Sequence, residues 1–237
     1  MLDPAKHRVA MYNILVEICR EAFLASSLGF KGGTACFFFY GLPRFSVDLD
    51  FDILIKEVTD GELKQIASRL ADIFQRQNLK IKDHWIKRKT LFFLLSHQSG
   101  SQSLKIEISR RDYPNTYEIK DFYGLSLRVM SRADMFAHKL IAATERKNIA
   151  MRDFFDLHFF FKEGWPINEE IVKLRTGKSL KEYLILLKDF AGEKITARNA
   201  LSGLGELVDE KQKVWIKNSL KKELIGIIDF YLAKIIS

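Results

Sequence analysis

Cysteine is nearly absent from the chain: Cys19 and Cys36 are the only two among 237 residues. That excludes a disulfide framework and a thiolate metal site, and it fits a reducing compartment, the cytoplasm. Long apolar runs are missing as well. Nothing approaches the ~20 residues that a membrane-spanning helix needs, and the first residues, MLDPAKHRVAMY, carry no apolar signal core, so neither export nor anchoring is expected. Internal repeats and low-complexity tracts are also lacking.

What is present is a chain long enough to bury a large core, 47% hydrophobic, with 38 Lys and Arg against 30 Asp and Glu. The resulting net charge of +8 suits a polyanionic partner such as nucleic acid, although a merely basic soluble protein has the same balance. Apolar residues recur at helical spacing over 5–28, and GFKGGT then reads as a turn into the helical run TACFFFYG. In SVDLDFDILI the period changes to two, which predicts a strand with Val47, Leu49, Phe51 and Ile53 on its buried face. EVTDGELKQIASRLADIFQRQ predicts an amphipathic helix. KTLFFLLSH and SLKIEISR predict strands joined by a polar turn, QSGSQ. From Ser131 the pattern is helical almost to the end, with breaks near Gly164 and Pro166, at Gly177, and at Gly203 and Gly205. A soft boundary near 125 separates a mixed core, 1–125, from a helical region, 126–237.

The segment KGGTACFFFYGLPRFSVDLDFD holds the most uneven chemistry. Asp48, Asp50 and Asp52 alternate on one strand face, where like charges repel unless a cation lies among them. Asp48 and Asp50 are therefore candidate ligands for one or two divalent ions, while a lone Asp-x-Asp is more often a solvated strand edge. In LKIEIS, Lys105, Glu107 and Ser109 share one face, so Glu107 supplies a third acid if this strand neighbours the first. Gly32 and Gly33 precede a helix, where backbone N–H groups and the Thr34 hydroxyl can approach a phosphate, although the same residues also make an ordinary turn. Arg44 suits a phosphate. Ser46 suits a carboxylate or a turn hydrogen bond, and Asp52 reads as a solvated strand end rather than an outer partner of the acids.

Further along, Ser131 reads as a helix cap, and Lys139 and Arg146 share a stripe with Met135, Ala142 and Ala143. Lys139 either snorkels to water or reaches into a site, and its exchange for Met is expected to cost little stability among such neighbours. Asp134, His138 and Glu145 share a polar side. In the next helix Arg152 and Asp156 are spaced for an i, i+4 ion pair. His138 and His158 lack companions at ligand spacing and read as packing or surface residues. The C-terminal runs KSLKEYLILLKDF and KKELIGIIDFYLAKII predict packed helices with a basic exterior.

KGGTA, RFSVDLDF, a strand with KIEI, AHKLIA and RDFFDL, in that order and spacing over about residues 28–160, resemble the AbiEii/AbiGii toxin family, whose nucleotidyltransferase domain is related in fold to DNA polymerase beta. The resemblance implies an α+β fold: a nucleotidyltransferase core with a mixed β-sheet flanked by helices, then a helical region contributing to the active site. It implies a toxin of a bacterial toxin–antitoxin or phage-defence pair that uses a nucleoside triphosphate, with RNA, tRNA first, as acceptor, by likeness to MenT toxins. It assigns Gly32, Gly33 and Thr34 to phosphate, and Asp48, Asp50 and Glu107 to two magnesium ions. Lys139 becomes a triphosphate or transition-state contact, with Asp153 or Asp156 orienting it or the base. Cys36 stands where the family often has leucine. A nucleotide- or RNA-binding toxin without chemistry, and transfer to a small molecule or protein, are the alternative classes. A cognate antitoxin is an expected partner.

Overall fold

The computed structural model describes residues 3–87, 90–96, 103–146 and 148–236. They divide into two compact units. The first comprises the described residues of 1–41 and 45–130, and the second comprises 42–44 and those from 131 onward.

The first unit begins with α1 (Pro4–Arg20), capped by Asp3, whose carboxylate accepts from Lys6 N at 3.1 Å, with Pro4 in the first turn where a missing N–H costs nothing. The helical periodicity predicted over 5–28 is interrupted at Glu21, which is extended and caps α2 (Ala22–Ser27) through its own side chain. The chain then runs as β1 (Leu28–Lys31) directly into α3 (Gly32–Phe39), so the predicted turn is half strand. β2 (Asp48–Ile53) follows, with Leu49 and Phe51 fully buried beneath the acids, and Phe30 of β1 packs on Phe51 at 5.2 Å between ring centroids. α4 (Asp60–Arg76) has a reciprocal Thr59–Glu62 cap and buries Leu63, Ile66, Leu70, Ile73 and Phe74 at helical spacing.

β3 (Lys80–Lys87), β4 (Thr90–Ser96), β5 (Leu104–Ser109), β6 (Tyr117–Phe122) and β7 (Leu125–Met130) complete a seven-stranded mixed sheet of order β3-β4-β5-β2-β1-β7-β6. The predicted turn QSGSQ lies outside the described residues. β2 lies between β5, to which it is parallel, and β1, to which it is antiparallel. That position in the middle of the sheet brings Glu107 and the acids of β2 together.

The second unit is helical: α5 (Arg132–Glu145), α6 (Met151–Lys162), α7 (Glu169–Thr176), α8 (Leu180–Lys194) and α9 (Glu210–Trp215), which passes through a π-turn, Ile216–Leu220, into α10 (Lys221–Ile236). Gly164 and Pro166 lie between α6 and α7, Gly177 ends α7 in a left-handed conformation, and Gly203 and Gly205 lie in the segment before α9, as predicted, but the break between α5 and α6 carries neither glycine nor proline. Phe154, Leu157 and Phe160 of α6 are fully buried, as are Leu184 and Leu187 of α8 and Leu224 and Ile228 of α10. No helix among the described residues is long and apolar enough to cross a membrane.

Candidate active site

The register of β2 and β5 sets Asp48 beside Lys105 and Asp50 beside Glu107. On the other side β1 sets Lys31 beside Asp50 and Gly29 beside Asp52. One face of three strands thus holds the predicted carboxylates with two lysines. The Lys105 ammonium lies 3.5 Å from Glu107 Oε2 and 3.8 Å from Asp48 Oδ2. Burial pushes the Asp50 carboxyl up to about 6, and Asp48 and Glu107 add to the rise while Lys105 and Lys31 oppose it. Carboxylates gathered on one strand face are a site for positive charge, and oxygen-only donors suit a hard divalent ion such as magnesium. Among the described residues no three His, Cys, Asp or Glu side chains converge on a common point as they stand; the Lys105 ammonium stands beside both Asp48 and Glu107.

The glycine pair has a steric reason for its place. Gly32 has φ +80, and a Cβ there would stand 2.6 Å from Asp50 Oδ2. Only a residue without a side chain lets the start of α3 lie against that carboxylate. The N-cap, Lys31, makes no side-chain cap bond, so the first turn of α3 presents backbone N–H groups that Gly32 and Gly33 leave accessible to an anion.

Thr34 differs from its predicted role. Its side chain is fully buried, and Oγ1 hydrogen-bonds the Asp48 carbonyl and lies 2.9 Å from Ser46 Oγ. A hydroxyl so enclosed ties α3 to the start of β2 instead of reaching a phosphate. Ser46 is spent on the same link rather than on a carboxylate.

Asp52 is also unlike its prediction. It is 3% exposed, not a solvated strand end, and it accepts from Lys31 Nζ at 2.5 Å, Tyr117 Oη at 2.6 Å and Asn115 Nδ2 at 3.2 Å. The Tyr117 ring lies against Gly29, where a Cβ would collide with it. Sequence reasoning missed Lys31, Gly29 and Tyr117, which meet Asp52 or one another from strands of the sheet, and Asn115, which reaches Asp52 from the loop before β6. Lys105 was placed on the right face but given no role.

The second unit contains a separate charged cluster. Arg44 donates through Nε to Asp156 Oδ1 at 2.6 Å and through Nη2 to Oδ2 at 2.7 Å, a two-pronged pair that is almost fully buried. The two N–H groups that would grip a phosphate are therefore on Asp156, contrary to the predicted role of Arg44. Lys139 Nζ donates to Asp153 Oδ1 at 2.9 Å and lies 2.9 Å from Asp156 Oδ2. Arg146 Nε is 2.7 Å from Asp153 Oδ2 but off the hydrogen-bonding direction. Burial alone would lower the Lys139 ammonium, yet Asp153 and Asp156 hold it above its ordinary value; Arg44 and Lys139 outweigh burial to hold Asp156 below its own. Lys139, Asp153 and Asp156 are thus brought together as one network, and Asp156 pairs with Arg44 and Lys139 where i, i+4 spacing suggested Arg152.

The remaining candidates of this unit are structural. Asp134 N donates to Ser131 Oγ at 3.2 Å, which is the predicted cap, but the Asp134 carboxylate is buried and receives Asn168 Nδ2 at 2.6 Å rather than lining a polar side. His138 Nδ1 meets Arg175 Nη1 at 2.9 Å. His158 packs against the Trp215 ring at 4.8 Å with Nε2 3.1 Å from Glu223 Oε2.

Residues 13–213 match a family model described as nucleotidyl transferase AbiEii toxin, type IV toxin–antitoxin system. Two crystal structures from Helicobacter pylori share the fold. One, described as a nucleotidyltransferase, has 22% identity and a TM-score of 0.64, covering 98% of this chain and 95% of that one. The other, JHP933, has 23% identity and a TM-score of 0.57, covering 99% and 95%. No curated protein matches the chain.

Proposed function

The chain belongs to the nucleotidyl transferase AbiEii toxin family of type IV toxin–antitoxin systems, and from that premise we propose that it is a magnesium-dependent enzyme of the cytoplasm that transfers a nucleoside monophosphate from a triphosphate to the 3′ end of tRNA. The observation that carries this reading is the register that sets Asp50 beside Glu107, with Asp48 on the same face and the Asp50 carboxyl raised to about 6. A bound pair of magnesium ions would offset the three carboxylates, lower the pKa of the attacking hydroxyl and stabilise the pyrophosphate leaving group.

The chain's own residues supply the rest. Asp48, Asp50 and Glu107 would hold the metals, and the backbone N–H groups at Gly32 and Gly33 would receive the triphosphate. Thr34 and Ser46 fix the start of β2, so the carboxylates meet their ligands in a preset position. Lys105 bridges Asp48 and Glu107 with the positive charge that a metal would otherwise supply there. In the helical unit Lys139 uses two of its three N–H directions on Asp153 and Asp156. The net charge of +8 supports a polyanionic acceptor. The family supplies the partner class as well, an antitoxin.

The test is incubation of the purified protein with each labelled nucleoside triphosphate, magnesium and total RNA. Label is expected on tRNA, and periodate oxidation of the terminal ribose is expected to prevent it. Undiminished labelling after oxidation, or label found only on protein or small molecules, would refute the tRNA 3′ acceptor.

A further inference from the structure

We propose that a cleft beyond Asp52 in the sheet unit binds the single-stranded end of the RNA acceptor through its phosphodiester backbone. This rests on the reading of RNA as the acceptor, and it deepens that reading by giving the second substrate its own binding surface.

The cleft encloses about 570 Å³ and is lined by the end of β2 (Asp52 and Ile53) and the residues that follow it, by residues 111–115 between β5 and β6, and by Tyr117 of β6 and Arg128 of β7. Its cations are Lys56, Arg111 and Arg128, all exposed, and no ion pair or hydrogen bond engages their side-chain nitrogens among the described residues. Its acids are Asp112 and Asp52, and Asp52 is already neutralised by Lys31. The balance is positive, with the arginines free to grip phosphate. Tyr113 adds an aromatic face of the kind on which an unpaired base stacks.

The floor is built rather than incidental. Asp52 at 3% exposure, held by Lys31, Asn115 and Tyr117, fixes the 111–117 segment against β1 and β2, and Gly29 is bare so that Tyr117 can lie over it.

The order of features along β2 assigns the ligand. β1 runs antiparallel to β2 with Gly29 beside Asp52 and Lys31 beside Asp50, so the α3 N-terminus at Gly32 lies on the Asp48 side of Asp50. The cleft opens at the other end, past Asp52, which is about 7 Å along the same strand face from Asp50. Glycine turn, carboxylates and cleft therefore follow one another in line. A triphosphate held at the glycine end leaves the cleft for the strand whose terminal hydroxyl must meet the α-phosphate at the acids. A single strand fits because its bases can splay and stack, whereas a duplex offers the cleft backbone alone.

The experiment is fluorescence anisotropy of a short labelled single-stranded RNA with the full chain, without nucleotide. Arg111→Glu with Arg128→Glu is expected to weaken RNA binding at least about tenfold and to flatten the salt dependence by roughly 1.4 in log–log slope, about 0.7 for each phosphate that is no longer neutralised. Arg→Lys at both positions should recover most of the binding, and the KM for triphosphate should stay unchanged. Unaltered RNA affinity in the Glu double variant overturns the proposal, as does an equal loss of triphosphate affinity, which would give the cleft to the nucleotide. Should RNA binding depend on the arginines while no triphosphate is ever transferred, the cleft stands and the transferase reading falls. Should transfer to RNA proceed with the double variant binding normally, the transferase reading stands and the cleft falls.

Discussion

Gly32 lies so close to Asp50 that a Cβ on residue 32 would stand 2.6 Å from the carboxylate oxygen. A helix start and a strand acid, separated by 18 positions in the chain, share one space, and this links the glycine turn to the acidic face. Gly32→Ala should lower stability by about 1–2 kcal/mol from the left-handed backbone alone, plus whatever is needed to displace the carboxylate. In an Asp50→Gly background the second cost disappears, so urea unfolding of the four proteins should give a coupling of at least about 0.5 kcal/mol. Equal costs in both backgrounds would show that the two residues do not compete for space.

Asp50→Asn should abolish transfer and yet stabilise the metal-free protein. The folded carboxyl, at about 6, lies above its ordinary 3.8, so its ionisation opposes folding above about pH 6 and the effect fades as pH falls toward 3.8. A rise of about two pKa units corresponds to about 3 kcal/mol at most. Urea midpoints in EDTA at pH 8 should therefore favour Asn, and the advantage should shrink at about pH 4.5. A variant that retains activity, or is destabilised at pH 8, would contradict the acidic-site reading.

Lys139→Met reverses the expectation drawn from its apolar helix neighbours. The ammonium lies 2.9 Å from each of two fully buried carboxylates, and its removal leaves Asp153 with Arg146 and Asp156 with Arg44 alone. A loss of about 3 kcal/mol is expected, since a broken buried pair strands charge away from water. Adding Asp153→Asn should recover part of it. Denaturant unfolding of the single and double variants decides the matter, and a single variant as stable as the parent would show that Lys139 is not part of the buried network.

His158 should make the protein acid-sensitive. Burial lowers its pKa below the ordinary 6.5, with Glu223 only partly opposing, so its contribution to stability is complete above about 6.5 and is lost as pH falls below that value. His158→Gln should flatten the fall in melting temperature between about pH 7 and pH 5. A parallel fall in both proteins would place the acid sensitivity elsewhere.

Features that depend on neighbours along the chain were legible before any fold was known. Alternation over 47–53 and 104–108 required strands with one apolar face, the glycine pair required a tight helix start, and 3.6-residue spacing with glycine breaks required the C-terminal helices. The same patterns could not show β3, whose KIKDHWIK is mostly exposed and has no buried face to mark it, nor β1, whose four residues end at the glycine pair. Which polar groups meet was settled by folding. Asp52 finds Tyr117 across 65 positions and Arg44 finds Asp156 across 112, so a predicted surface acid became a buried floor and a predicted phosphate ligand became half of an internal ion pair. The difference is one of range: backbone periodicity is set by the next few residues, whereas a buried charge is stable only where folding brings it a partner, and strand order and helix packing decide which partner that is.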